Sequence, residues 1–265
     1  MQETCVQELL CFGIAAGGGN AALVVRHAHS SAEQRQQFAR ARRKPACVFI
    51  DRSGDGDIVL DYFYPHMRSP LCLHATLAAA RVLLSPAQPR LEVRTALRGQ
   101  RLTLLMQEGE VYIRLSPQAA PAVAITPELP GRLLAAPGIA LVSPPVIASV
   151  GSPKLLLEVA DSAALHALRP DLHAISDWGQ QHGVSGCYVW CRRPDGALEG
   201  RNLNHLHPAA EDGATGVAAG ALTVHLQTGI TLYQGANLGM PCRLRTELHD
   251  EQVLIGGRTE LRSST

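Results

Sequence analysis

Two short stretches of this chain place ionisable side chains at the start of an apolar run that reads as a helix. In Cys72-Leu73-His74-Ala75-Thr76 a thiol and an imidazole stand two residues apart; in Glu211-Asp212-Gly213-Ala214-Thr215-Gly216 adjacent carboxylates precede a run of small residues. A histidine that titrates near neutrality suits proton transfer, and a carboxylate can serve as its partner. A thiol at a helix N-terminus can be activated as thiolate, which makes Cys72 a second candidate base. The first amides of a helix lack intrahelical partners and carry partial positive charge, so they bind carboxylates. Ala75, Gly213, Ala214 and Gly216 leave a ligand room to approach the backbone, while Thr76 and Thr215 offer hydroxyls. Taken singly, these residues also fit plainer roles: Thr and Ala as packing, Asp212 as an N-cap, Cys72 as a small buried hydrophobe. Their repetition favours a ligand site.

The positioning elements repeat as well. Gly19-Asn20-Ala21-Ala22-Leu23-Val24-Val25 is echoed by Gly151-Ser152-Pro153-Lys154-Leu155-Leu156-Leu157, at an offset similar to that between the two Ala-Thr pairs. This argues for two related lobes, residues 1–118 and 119–265, divided in the proline-bearing stretch 116–130, with the last strands free to pack back on the first lobe. Lobes packed face to face would bring two helix starts and two proton-transfer groups into one cleft. Within the first lobe, Ser30 with Glu33 has capping-box spacing and predicts a helix to about Arg43, whose basic end (Arg40, Arg42, Arg43, Lys44) complements the helix C-terminus. Strands are expected near 6–12, 22–26, 47–51, 57–64, 91–95, 101–107 and 111–115, around an apolar helix from about His74 to Leu84. The second lobe repeats this with strands near 154–159, 186–191, 201–207, 231–234, 242–247 and 252–255, helical stretches near 163–168 and 171–181, and an apolar helix from Ala214 to Leu226. One long, almost uncharged helix per lobe among many strands indicates an α+β fold with each mostly antiparallel sheet wrapped around its central helix.

Composition narrows the partners. At 265 residues, 46% hydrophobic and 18% charged, the chain can bury a real core, and a formal net charge of +1 gives no field to gather nucleic acid or anionic lipid. A small molecule is the expected partner. The seven cysteines form no CxxC pair and read as buried reduced thiols in a cytoplasmic protein. The uncharged run Leu133–Val150 is broken by Pro137, Pro144 and Pro145, so no membrane span is expected; it reads as connection plus a strand. His205 and His207 share a strand face but lack a third ligand, and Cys187 and Cys191 are too far apart to share a metal; no metal and no cofactor are expected. Gly17-Gly18-Gly19 lacks the strand-to-helix setting of a phosphate loop.

With these residues laid out, the chain resembles the PhzF-like family of phenazine-biosynthesis proteins. Gly19-Asn20-Ala21-Ala22 matches a GNPA turn, Cys72-Leu73-His74-Ala75-Thr76 matches CGHAT, and Glu211-Asp212-Gly213-Ala214-Thr215-Gly216 matches EDPATG. Gln234-Gly235 followed by Gly239-Met240-Pro241 matches the QG…GRP segment. The resemblance implies a two-lobed fold like that of diaminopimelate epimerase and proline racemase, an active site between lobes, frequent homodimers and cofactor-free isomerisation by proton transfer. It implies catalytic roles for His74 and Asp212, with Cys72 at the place where epimerases of this fold carry a cysteine. It also implies substrate-binding roles for Asn20, Ala75, Thr76, Gly213, Ala214, Thr215, Gly216 and Gln234. The chain departs from the pattern where Ala46 replaces a catalytic Glu, Leu73 a glycine, Val217 a serine and Asn204 an arginine. Gly213 in place of a second cysteine excludes a two-thiol mechanism. Two expectations follow: an isomerase or epimerase of a small carboxylate, or a binding protein of the same family that has lost the chemistry. A racemase using one thiol is a third option.

Overall fold

The computed structural model describes residues 4–28, 30–203 and 210–262. It divides into two compact units, Met1–Leu115 with Leu254–Thr265, and Ser116–Val253.

The first unit runs β1 (Cys5–Phe12), β2 (Gly19–Arg26), α1 (Ala32–Arg42), β3 (Ala46–Arg52), β4 (Ile58–Phe63), β5 (Arg68–Ser69), α2 (Leu73–Leu83), β6 (Arg90–Thr95), β7 (Arg101–Gln107) and β8 (Glu110–Leu115). β1 pairs antiparallel with β2, β2 parallel with β3, β3 antiparallel with β4 and β4 parallel with β6; antiparallel β7 and β8 follow. The second unit runs α3 (Leu129–Leu133), β9 (Val146–Ala148), β10 (Lys154–Glu158), α4 (Ser162–Ala167), α5 (Leu172–His182), β11 (Cys187–Arg192), β12 (Leu198–Leu203), β13 (Glu211–Asp212), α6 (Gly216–Leu226), β14 (Thr231–Gln234) and β15 (Cys242–His249). Its pairings reproduce the first unit in order and direction: β9–β10 antiparallel, β10–β11 parallel, β11–β12 antiparallel, β12–β14 parallel, β14–β15 antiparallel. The echo seen in the sequence is therefore an echo of topology. β16 (Gln252–Gly257) carries the chain back into the first unit, where it pairs with β8 while β17 (Thr259–Leu261) pairs with β1.

Each sheet curls around one helix because that helix has no polar face to leave in water. Every α2 residue from Leu73 to Ala80 is buried, and the helix touches β1, β2, β3, β7, β8 and β17. α6 is buried through Ala218–Thr223 and packs on β9, β10 and β15. Strand alternation then sorts the sheet's side chains. Leu23, Val25, Cys47, Phe49 and Phe63 pack outward with Ala39 of α1, leaving Ala22, Ala46 and Tyr62 on the α2 side. In the second unit Leu155, Leu157, Cys187, Val189 and Cys191 pack outward on Leu165, Ile175 and Trp178.

Several expectations shift. The capping box of α1 is Ser31 with Gln34, not Ser30 with Glu33: the Ser31 hydroxyl accepts from the Gln34 N–H, and the Gln34 side chain accepts from the Ser31 N–H. Ser30 instead accepts from Arg35 Nε. Helix α6 begins two residues later than the apolar run suggested, because Asp212 belongs to β13 and Thr215 is the N-cap. The stretch 129–133 forms the unforeseen helix α3, with its proline in the first turn where no N–H is needed. β12 ends at Leu203; Asn204, His205 and His207 lie outside the described residues.

A buried ion cluster anchors α1 to its sheet. Arg35 grips Asp51 through two hydrogen bonds of 2.6 and 2.8 Å and reaches Asp61 at 3.1 Å, while Arg68 holds Asp61 at 2.8 and 3.0 Å. Burial works to lower the Arg35 pKa, but the two carboxylates outweigh it and the net direction is upward.

Candidate active site

In the first unit, α2 presents its start through Cys72, the N-cap, and His74, in the first turn. Cys72 has no side-chain capping bond; its Sγ lies 3.5 Å from His74 Nδ1. The His74 carbonyl accepts from the Cys11 thiol at 3.1 Å, which ties the turn to β1. The Thr76 hydroxyl donates to the Cys72 carbonyl at 2.8 Å and sits 2.7 Å from the Tyr62 hydroxyl. Burial pushes the Tyr62 pKa far up, so the phenol stays protonated and donates to Thr76. Thr76 is thus engaged by the helix start itself. Asn20 is buried in β2 opposite Cys11. Ala46 is fully buried on the α2 side of β3, paired with Ala22.

In the second unit the adjacent carboxylates take opposite faces of β13. Glu211 is held by Arg201 through two bonds of 2.9 Å on the outward face, where Arg201 also reaches the carbonyls of Leu165 and Leu168. Asp212 is left on the α6 side, its Oδ2 accepting from the Thr215 hydroxyl at 2.6 Å. Gln234 braces this corner. Its Oε1 accepts from Tyr188 at 3.0 Å and from the Thr215 N–H at 3.3 Å; its Nε2 donates to the Asp212 carbonyl at 2.6 Å and to the Thr215 hydroxyl at 3.1 Å. With two donors and two lone pairs all used, Gln234 positions the helix start from behind. Gly235 permits the approach: at φ +85° a Cβ there would lie 2.3 Å from the Met240 carbonyl oxygen and 2.5 Å from that of Gly213. The Met240 methyl covers Gly213, so that glycine presents backbone rather than open space. Ala214 is fully buried, and Gly216 opens the helix. The duplicated Ala-Thr pairs therefore do different work, Thr76 inside the first turn and Thr215 as the cap.

Sequence reasoning passed over Lys154. It is buried on the α6 side of β10, donates to the Ser185 carbonyl, and feels the Asp212 charge. Burial lowers its pKa to about 8, against the opposing pull of Asp212. The visible signal was a lone charge inside the apolar strand Lys154–Glu158. Between pH 8 and the unfolded-state value of 10.5 the unfolded chain binds a proton that the folded chain does not, so stability rises with pH across that window. Wild type should therefore gain roughly 2–3 kcal/mol on Lys154→Met between pH 7.5 and 10.5 in urea unfolding. Parallel pH curves for the two proteins would contradict the buried ammonium.

A sheet curled around an apolar helix, present once in each unit, is a fold shared with solved structures of an epimerase and a probable proline racemase. The fold matches a hydroxyproline epimerase from Agrobacterium vitis with a TM-score of 0.63 at 12% identity, over 97% of this chain and 90% of that one. It matches the PhzF-family phenazine biosynthesis protein of Bacillus anthracis with a TM-score of 0.80 at 19% identity, over 99% and 98%. This chain belongs to the PhzC-PhzF family of phenazine biosynthesis-like proteins, whose model matches residues 11–263. It is 30% identical to an uncharacterized isomerase of Deinococcus radiodurans, covering 94% of this chain and 90% of the relative. It is 29% identical to the trans-2,3-dihydro-3-hydroxyanthranilate isomerase of Pseudomonas aeruginosa, covering 84% and 83%. No helix among the described residues is long and apolar enough to cross a membrane.

Proposed function

We propose that this protein is an isomerase or epimerase that moves a proton on a small carboxylate-bearing metabolite without a cofactor. Its proton-transfer groups are Asp212 beside the start of α6 and His74 in the first turn of α2, with Cys72 as a second base beside His74, and the first turn of a helix is where a carboxylate is held. The observation that carries the reading is the state of Asp212. Its neighbour Glu211 is locked to Arg201 on the outward face, whereas the Asp212 carboxylate lies on the α6 side, where its Oδ2 accepts from the N-cap hydroxyl of Thr215 at 2.6 Å. A carboxylate so oriented is placed to exchange a proton with a ligand bound at that helix start. Family membership and relatives named as isomerases support the reaction class.

One observation favours a second reading, a binding protein without turnover. Ala46, at the position of the family's catalytic Glu, is fully buried and apolar, so β3 supplies no proton-transfer group there. Heavy water separates the two. The enzyme incorporates solvent deuterium into a carbon-bound position of a substrate from a panel of amino acids, hydroxy acids and dihydroanthranilates. Binding of panel members with no incorporation would select the second reading.

A further inference from the structure

We propose that Asn202 is a substrate-binding residue that holds an amino or hydroxyl substituent of the carboxylate beside Asp212. The proposal rests on the reading of the α6 start as the substrate site and names the kind of molecule it takes.

Asn202 is 1% exposed, and neither its Nδ2 nor its Oδ1 has a hydrogen-bond partner. An amide buried in this way is destabilising, and buried polar groups are otherwise satisfied, so a missing partner is the natural account of both bare atoms. The strand register says where that partner sits. Asn202 stands directly between Tyr188 of β11 and Asp212 of β13, so the three side chains share the sheet face toward α6. Its neighbours are engaged elsewhere: Tyr188 donates to Gln234, Gln234 is saturated, and Thr215 donates to Asp212. None of these bonds turns toward Asn202, although its carboxamide presents two donors and an acceptor at the same corner.

A hydroxyl group both donates and accepts and can satisfy both amide atoms, while an amino group donates to Oδ1. The helix start takes an anion, and Lys154 adds a buried ammonium on the same face. Together these features select an amino- or hydroxy-carboxylate over a plain carboxylate.

The test is calorimetric titration of the full chain with anthranilate, which carries an amino group beside its carboxylate, and with benzoate, which lacks it. Wild type is expected to prefer anthranilate about tenfold, the size of one hydrogen bond to an otherwise unpaired buried amide. Asn202→Leu, which keeps the shape and removes the polar atoms, brings the anthranilate-to-benzoate affinity ratio to about one and melts above wild type. Asn202→Ser is the second variant and shows the same loss of preference. A preference that survives both substitutions, failure of wild type to bind either ligand, or variants that do not fold would each overturn the proposal. Deuterium exchange keeps the two readings apart. Exchange without amino-group preference leaves the isomerase and removes Asn202's role; preference without exchange does the reverse.

Discussion

Asp212→Asn is expected to lower solvent-deuterium exchange into the substrate by about 100- to 10,000-fold, the usual contribution of one positioned proton-transfer group. Asparagine preserves the size of the side chain, and its Oδ1 still accepts from the Thr215 hydroxyl that now bonds Asp212 at 2.6 Å. Gln234 still braces the corner, since it donates to the Asp212 backbone carbonyl rather than to the carboxylate. What disappears is the capacity to take up and return a proton. His74→Ala is expected to fall in the same range, whereas Cys72→Ser separates the two bases of the first unit, whose nearest ring nitrogen and sulfur are 3.5 Å apart. A large loss in Cys72→Ser assigns the proton to the thiol; a small one assigns it to the imidazole. Melting curves that overlay wild type tie the losses to chemistry. Exchange by Asp212→Asn within a few-fold of an active wild type would remove Asp212 from the mechanism.

The largest expected loss of stability lies away from the site. Arg35→Met should destabilise the protein by about 2–3 kcal/mol, below the roughly 3–5 kcal/mol for stranding a buried charge, because both carboxylates keep partial compensation. The Arg35 side chain is 10% exposed and the Asp61 carboxylate 5%, so water cannot take over the role of the lost guanidinium. Asp51, 35% exposed, regains part of its hydration, and Asp61 keeps Arg68. The loss also removes the guanidinium stacked 4.8 Å above the Phe49 ring. Denaturant unfolding with a lowered midpoint and an unchanged slope is the expected signature. A change below about 1 kcal/mol would mean that the cluster behaves as a surface pair.

Much of the fold was legible in the sequence because periodicity and punctuation are local. The uncharged helices around His74 and after Thr215, the strand meander up to Leu115 and the duplicated order of elements follow from side-chain pattern alone, and the family motifs placed His74 and Asp212 at helix starts. The misplacements were local competitions that pattern does not rank. Ser30 and Ser31 both precede acidic or amide residues at workable spacing, and Ser31 caps because Ser30 serves Arg35. The Gly213-Ala214 segment reads as helix by its small residues, yet β12 recruits Glu211 and Asp212 into a strand pair and delays α6.

By itself, then, the sequence determined two related α+β units, their buried central helices and the residue types gathered at each helix start. Only the tertiary structure decided which partners those residues hold. Hydrogen-bond partners distant in the chain make that decision. Arg201 removes Glu211 from contention, Tyr62 engages Thr76, Gln234 becomes a brace, and the register of β11, β12 and β13 brings Asn202 to Asp212. A buried donor must find an acceptor somewhere in the fold, and where it finds one is set by packing across strands rather than by neighbours in sequence.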